Sequence, residues 1–248
     1  MTGRPNPPAD LEAYGALIED FRARSYEIRG LLELEPDRAH LALRHDVDLS
    51  LEAAARMSAF EHELGVSSIY FVLTDSELYN PAAPAARSAL AEIVGCGHEI
   101  GLHFDAAPFV GDEPALEAAA GAAATTLEAL TGTPVRMISF HKPAPELIGR
   151  ATPVAGRRHA YEPAFVERIA YASDSRGQWG HGHPFDRPEV SAGRAIQLLT
   201  HPIWWTGNAA SPEAALDALL QRGATRLGHA IGETCSTYAP PQIRIRRS

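Results

Sequence analysis

The sequence predicts an α/β protein, a distorted (β/α) barrel formed by one domain. Segments rich in Val, Ile and Phe alternate with Ala- and Leu-rich segments, a pattern typical of β/α units around a parallel sheet. Polar residues also follow nearly every predicted strand, at the strand ends where parallel β/α folds place their sites. The length of 248 residues fits one such barrel, so we expect a single domain over residues 1–248 with a short N-terminal extension over 1–10.

Helix-capping residues mark where predicted helices begin and end in the first half of the chain. A helix over 11–24 precedes a strand over 40–47. Ser50 is a typical helix N-cap residue and Gly65 a typical helix terminator, which together predict a helix over 50–64. The remaining elements of this half are a strand over 67–73, a helix over 84–94, a strand over 98–104 and an Ala-rich helix over 114–130.

The second half begins with a strand over 135–141 and then turns irregular and basic over 150–162. A long loop over 177–193 contains Trp179, and loops of this length inside compact domains often form binding walls. The elements around this loop are strands over 168–173 and 195–200 and a closing helix over 212–227.

Composition excludes several classes of function. Hydrophobic residues make up 45% and charged residues 21% of the chain, as in ordinary globular proteins. The net charge of −9 and the absence of a basic stripe argue against nucleic acid as a partner. A polar N-terminus and the lack of a long apolar run predict a cytoplasmic protein with no membrane span. The two cysteines form no CxxC pair, which argues against a thiolate zinc site. Composition leaves the oligomeric state open.

Three charged residues share one face at the end of the first long strand. Side chains alternate along a strand, so Arg44, Asp46 and Asp48 point the same way. Two carboxylates this close repel each other unless a cation or a shared proton holds them, and either Arg44 or a metal can do so. The alternative is an Asp-rich turn in which Asp48 or Ser50 caps the next helix.

The same alternation places His103 and Asp105 on one face of the third predicted strand. Imidazole and carboxylate together are ligands for zinc, or for manganese, iron or cobalt as alternatives. The ordinary alternative for His103 is a hydrogen-bonded core histidine.

Two further histidines end strands close to prolines: His141 precedes Lys142-Pro143, and His201 directly precedes Pro202. Each proline halts its strand, so both rings should stand at the barrel mouth. One of the two is expected to bind the metal and the other to transfer a proton. Asp174 ends a strand in the same way, and it is expected to have either a catalytic role or a turn-forming one.

At these residues the sequence resembles the polysaccharide deacetylases of the NodB-homology superfamily (carbohydrate esterase family four), and especially their divergent WbmS-like branch. The resemblance spans residues 41–205, and its most specific segment is GHEIGLH over 97–103. It implies a polysaccharide deacetylase-like catalytic domain in which His103 binds the metal and His98 does not.

The other motifs resemble those of the family in order. LRHDVD stands where the family has its Asp-Asp pair, which implies Asp46 as the catalytic base and Asp48 as a metal ligand, although the two roles could be exchanged. SDSRGQW matches the motif that contains Asp174, and LLTHP implies His201 as the general acid. The family's second metal histidine is replaced by Ala107, so the third ligand is expected from Asp105 or His141.

The predicted function is that of a metal-dependent hydrolase of non-peptide carbon–nitrogen bonds. It would remove an N- or O-linked acyl group from an amino sugar or carbohydrate precursor, a small substrate. Two alternatives remain: a catalytically silent sugar-binding barrel, and a metal-independent hydrolase of a non-sugar amide or cyclic ureide. The residues expected to line the substrate site are Arg44, Trp179, Trp204 and Trp205.

Overall fold

The protein is described by a computed structural model over residues 6–180 and 182–239. Its centre is a parallel sheet of eight strands within these residues. The strands are β1 (Glu27–Ile28), β2 (His40–Val47), β3 (Ile69–Leu73), β4 (Glu99–Asp105), β5 (Met137–His141), β6 (Arg158–His159), β7 (Ala170–Ser173) and β8 (Ile196–Thr200).

The strands follow the order β6-β5-β4-β3-β2-β8-β7, and β1 pairs with the start of β2. The sheet must be strongly curled, because Ser139 on β5 donates a 3.2 Å hydrogen bond to Asp46 on β2. In a flat sheet these strands would lie roughly 14 Å apart, three times the spacing of neighbours. Among the described residues no ladder joins β6 to β7. The predicted distorted (β/α) barrel is therefore confirmed as a parallel sheet curled into an open barrel.

Helices surround the sheet, and their predicted caps are present. The Ser50 side chain accepts a hydrogen bond from the Ala53 N–H at 3.2 Å, and Gly65 follows the end of the same helix in the left-handed conformation at φ +64°. The helices are α1 (Leu11–Arg22), α2 (Leu51–Glu63), α3 (Pro84–Gly95), α4 (Glu113–Thr131), α5 (Pro163–Val166), α6 (Pro188–Ser191) and α7 (Pro212–Thr234).

Apolar side chains fill both sides of the sheet. Two large clusters lie between the sheet and its helices, while a smaller one that includes Phe71 lies in the barrel interior. Phe71 covers Gly101 on the neighbouring strand so closely that a Cβ at position 101 would lie 2.4 Å from the ring. Glycine at this position therefore lets the ring close the barrel beneath the polar residues at its mouth.

The structure departs from the predicted elements in several places, and the four-residue helices α5 and α6 were not predicted. Strands β1 and β6 each contain two residues, too few to give a periodic pattern. Helix α7 continues seven residues beyond the predicted end at 227. No helix within 6–180 and 182–239 combines the length and apolarity needed to cross a bilayer. The expectation of one domain over 1–248 extends past the described residues and stays a prediction.

Candidate metal centre

Three predicted ligands meet at the mouth of the barrel. Asp48 follows β2, His103 lies on β4 and His141 ends β5. Their donor atoms are close together: Asp48 Oδ1 lies 3.0 Å from His103 Nε2 and 3.7 Å from His141 Nδ1, and the two ring nitrogens are 3.2 Å apart. Ligands of a tetrahedral zinc ion with bonds near 2.1 Å would be roughly 3.4 Å apart. The spacing fits a small divalent cation.

The hydrogen bonds around His103 also favour a cation at this point. Its Nδ1 lies 2.9 Å from the Ser139 carbonyl oxygen, which only accepts, so Nδ1 carries the proton and Nε2 presents a lone pair in the neutral ring. Asp48 Oδ1 is buried, and no donor within the described parts of the chain satisfies it. Two acceptors facing each other in this way are a suitable ligand set for a metal.

Asp48 is ionised in this environment. Burial alone would raise the pKa of its carboxyl, but the neighbouring His103 and His141 rings together with the positive charge of His201 hold that pKa well below its usual range. The carboxylate is therefore available as a ligand at neutral pH.

Asp46 lies beside the cluster, deeper in the barrel. Its carboxylate forms a bidentate ion pair with Arg44, with N–O distances of 2.9 and 3.1 Å, and Oδ2 lies 3.9 Å from His103 Nε2. Burial would raise the pKa of Asp46, but Arg44 and the nearby His103 lower it below its ordinary value. The group is an ionised acceptor next to the ligands.

His201 also lies beside the cluster, with Nε2 3.6 Å from Asp48 Oδ2. Its Nδ1 lies 2.6 Å from Oδ1 of the fully buried Asp174. Asp174 also accepts hydrogen bonds from the His201 backbone N–H and from Trp205 Nε1, the latter at 2.7 Å. Burial would lower the pKa of His201, but Asp174 outweighs it and raises the pKa to about 9. The ring is therefore protonated at neutral pH and can donate a proton.

The structure corrects the expected positions of several predicted site residues. Trp204 and Trp205 are 5% and 0% exposed, so they are core residues rather than a wall for a substrate. Arg44 is equally buried and is held by Asp46, so it orients that carboxylate instead of binding a substrate. Trp179 is half-buried, with its ring centroid 6.0 Å from that of Trp205.

Asp105 lies outside the cluster. Its side chain is exposed and accepts a hydrogen bond from the Ala107 N–H at 3.0 Å, so it closes a turn after β4. Of the two residues expected to supply the third ligand, His141 is the one within reach of Asp48 and His103.

Sequence reasoning missed Ser139 as a site residue. It is fully buried, donates to Asp46 and supplies the carbonyl that orients His103. It lies two residues before His141 on β5 and so shares its face. The alternation of side chains could have identified it.

A second polar cluster lies on the opposite side of β2, around the fully buried Glu61 of α2. We call it the Glu61 network. One of its histidines, His45, also lies 2.7 Å from Thr200 Oγ1. The side chains in contact with the carboxylate are Tyr14 at 2.5 Å, His45 at 3.0 Å, Ser68 at 2.7 Å and Tyr70 at 2.7 Å.

The motif histidine His98 belongs to the Glu61 network. Its Nε2 lies 2.9 Å from the Ser58 carbonyl and its Nδ1 2.9 Å from Ser68 Oγ. It therefore lies outside the metal cluster, as the family resemblance implied.

No protein-family model matches the sequence, and no curated protein matches it. Among solved structures, the chain is similar to a family 4 carbohydrate esterase from Bacillus anthracis, with a TM-score of 0.46 and 15% identity over 84% of this chain and 86% of that one. It is also similar to the peptidoglycan deacetylase PdaC from Bacillus subtilis, with a TM-score of 0.43 and 14% identity over 82% of this chain and 100% of that one.

A third similar structure is a CE4 family pseudoenzyme from Bacillus anthracis, with a TM-score of 0.43 and 14% identity over 77% of this chain. The chain spans 63% of the length of that protein. The sequence motifs resemble this same superfamily. The WbmS-like branch stays a prediction. At these identities the likeness assigns no reaction, which has to follow from the site itself.

Proposed function

We propose that the protein is a divalent-metal-dependent hydrolase that removes an acyl group from an amino sugar or a related carbohydrate precursor. The observation that carries the proposal is the convergence of three ligand atoms, from Asp48, His103 and His141, with a second carboxylate and a protonated imidazole beside them. Metal-assisted hydrolysis of an amide uses this set: a cation, a base and an acid.

Asp48, His103 and His141 would hold the ion, with zinc as the first candidate and manganese, iron or cobalt as alternatives. A bound divalent ion would polarise the acyl carbonyl and lower the pKa of water. The Ser139 carbonyl keeps the His103 ring in the orientation that this requires.

The remaining site residues would move protons. Asp46 would accept the proton of the attacking water, and Arg44 and Ser139 hold its carboxylate in one orientation. His201 would donate a proton to the departing amine, since the buried Asp174 beside it favours the protonated ring. Base and acid would thus be two different residues, each beside the metal ligands.

Metal content and acyl release test this proposal. The wild type is expected to hold about one ion per chain and to release acetate from N-acetylated amino sugars. His103→Ala should lose both, whereas His229→Ala on the exposed face of α7 should lose neither. Equal metal in wild type and His103→Ala would contradict the proposal. Undiminished turnover after chelation would favour the metal-independent alternative.

A further inference from the structure

A cavity lies between α2 and α7, beside the metal centre. Its volume is about 470 Å³, within the range of small-ligand sites. Alanines and a glycine supply much of its wall, which leaves space between the two helices. Its polar lining includes Ser50, Arg56, Asn208 and Arg222. We call it the α2–α7 pocket.

The α2–α7 pocket carries unbalanced positive charge. Glu52, the carboxylate in its wall, is paired with Arg226 at 3.0 Å. Arg56 and Arg222 are exposed, and neither has an ion-pair or hydrogen-bond partner within 6–180 and 182–239. Two free guanidinium groups in the wall of one cavity repel each other, and an anion between them would remove that repulsion. The pocket is cationic although the chain carries a net charge of −9.

The pocket adjoins the proposed site of hydrolysis. Ser50 and Ile203 line it, and the same two residues line a small cavity bounded by Asp46, Asp48 and His201. One layer of side chains therefore separates the two spaces. A ligand whose anionic end occupied the pocket could extend its other end toward the metal ligands.

We propose that the α2–α7 pocket binds the phosphate of a phosphorylated acyl sugar, with Arg56 and Arg222 as its ligands. This inference rests on the proposed function, whose substrate class it narrows. Phosphate fits better than a carboxylate, because its three free oxygens can accept hydrogen bonds from two guanidinium forks at once. The Asn208 side chain, also in the wall, can donate a further hydrogen bond.

The test compares two ligands that differ only in the phosphate, glucosamine 1-phosphate and glucosamine, by calorimetric titration of the full chain as purified. We expect the wild type to bind the phosphorylated sugar at least a hundredfold more tightly, on the order of tenfold for each guanidinium. The double variant Arg56→Gln/Arg222→Gln should lose this preference. Arg87→Gln, which removes an exposed arginine from α3, should keep it.

The outcomes separate this inference from the proposed function, because binding needs no turnover. A preference that the double variant loses supports the pocket even if no acyl sugar is hydrolysed. Equal binding of the two sugars by the wild type would overturn it. A preference that persists in the double variant would also overturn it, since the phosphate would then be bound elsewhere, for example at the metal ligands. Metal content is measured in each variant as the control.

Discussion

The two carboxylate–histidine clusters of the barrel lie on opposite faces of the same strand. On β2, Asp46 points into the barrel beside the metal centre, while His45 points outward into the Glu61 network. Both clusters contain buried carboxylates and imidazoles. They differ in how the hydrogen bonds are satisfied, and that difference separates a stabilising cluster from a candidate site.

In the Glu61 network, both carboxylate oxygens face donors, including three hydroxyl groups. In the metal centre, Asp48 Oδ1 is buried without a hydrogen-bond donor within the described residues, and it faces the lone pair of His103. Buried polar groups are normally satisfied, so an unsatisfied acceptor needs an explanation such as an ion. Burial and charge alone would not have distinguished the two clusters.

Replacement of either Asp46 or Asp48 by asparagine should cause the largest loss of activity. Asp46→Asn is expected to slow turnover by about 10²–10⁴-fold with metal retained, because an amide cannot take up the proton. Asp48→Asn should lose the metal itself. Metal analysis and acetate release on the same preparations check both, with thermal melting as the control for folding. The reverse pattern would mean that the roles of the two aspartates are exchanged.

Removal of the proposed acid should affect amides more than esters. His201→Ala is expected to slow amide hydrolysis by about a hundredfold or more, and an activated ester far less, because its leaving group departs without a proton. In the wild type, amide turnover should fall as pH rises through the raised pKa of about 9, since only the protonated ring donates. Equal slowing of both substrates at constant metal content would refute the assignment.

A substitution in the Glu61 network should lower the stability of the protein without a loss of metal. Glu61→Gln should lower the free energy of unfolding by about 2–3 kcal/mol, because buried donors lose a charged acceptor. Glu52→Gln, on the same helix but in an exposed ion pair, should stay within about 1 kcal/mol. Urea unfolding measures both. Loss of metal in Glu61→Gln would show that the clusters are coupled.

The contribution of Glu61 to the free energy of unfolding should depend on pH. Burial would raise the pKa of this group, but His45 and the other partners lower it from 4.5 to about 2. A depressed pKa stabilises the fold above the unfolded value and loses that effect as pH falls toward the folded value. The stability difference between wild type and Glu61→Gln should therefore be full above about pH 4.5 and shrink toward pH 2. A constant difference would show that charge is not its source.

The smallest effect is expected from Trp205→Phe. It removes the indole N–H that bonds to Asp174, at a cost of about 1.5 kcal/mol, and should lower kcat with little change in KM because His201 is less firmly oriented. Trp204 provides a matched control, since its indole N–H has no hydrogen-bond partner in the described parts of the chain. Equal kinetics for Trp205→Phe and Trp204→Phe would remove Trp205 from the positioning of His201.

Much of the site could be predicted from sequence. Strand β2 was predicted with the bounds found in the structure, because the apolar residues 41–43 lie shortly before the helix cap at Ser50. Alternation and the shared edge of parallel strands then brought Asp48, His103 and His141 to the same place. These rules work because they depend on local geometry alone.

The predictions that failed concerned how deeply a side chain is buried and which residues it contacts across the fold. Alternation gave the face on which Arg44 lies but not that Asp46 would hold it inside the barrel. Asp105 has the same parity as His103, yet the strand ends there and the side chain turns to a backbone N–H. Glu61 looks like an ordinary helix charge, because its partners come from residues as distant as Tyr14.

The open seam of the barrel bears on how copies of the chain avoid aggregating. Exposed strand edges present unpaired amides that can template edge-to-edge association. Here the two edge strands, β6 and β7, have two and four residues, and the short helix α5 packs against β7. Little free backbone is left at either edge for a neighbouring strand, so a barrel that never closes still offers few positions from which a fibril could grow.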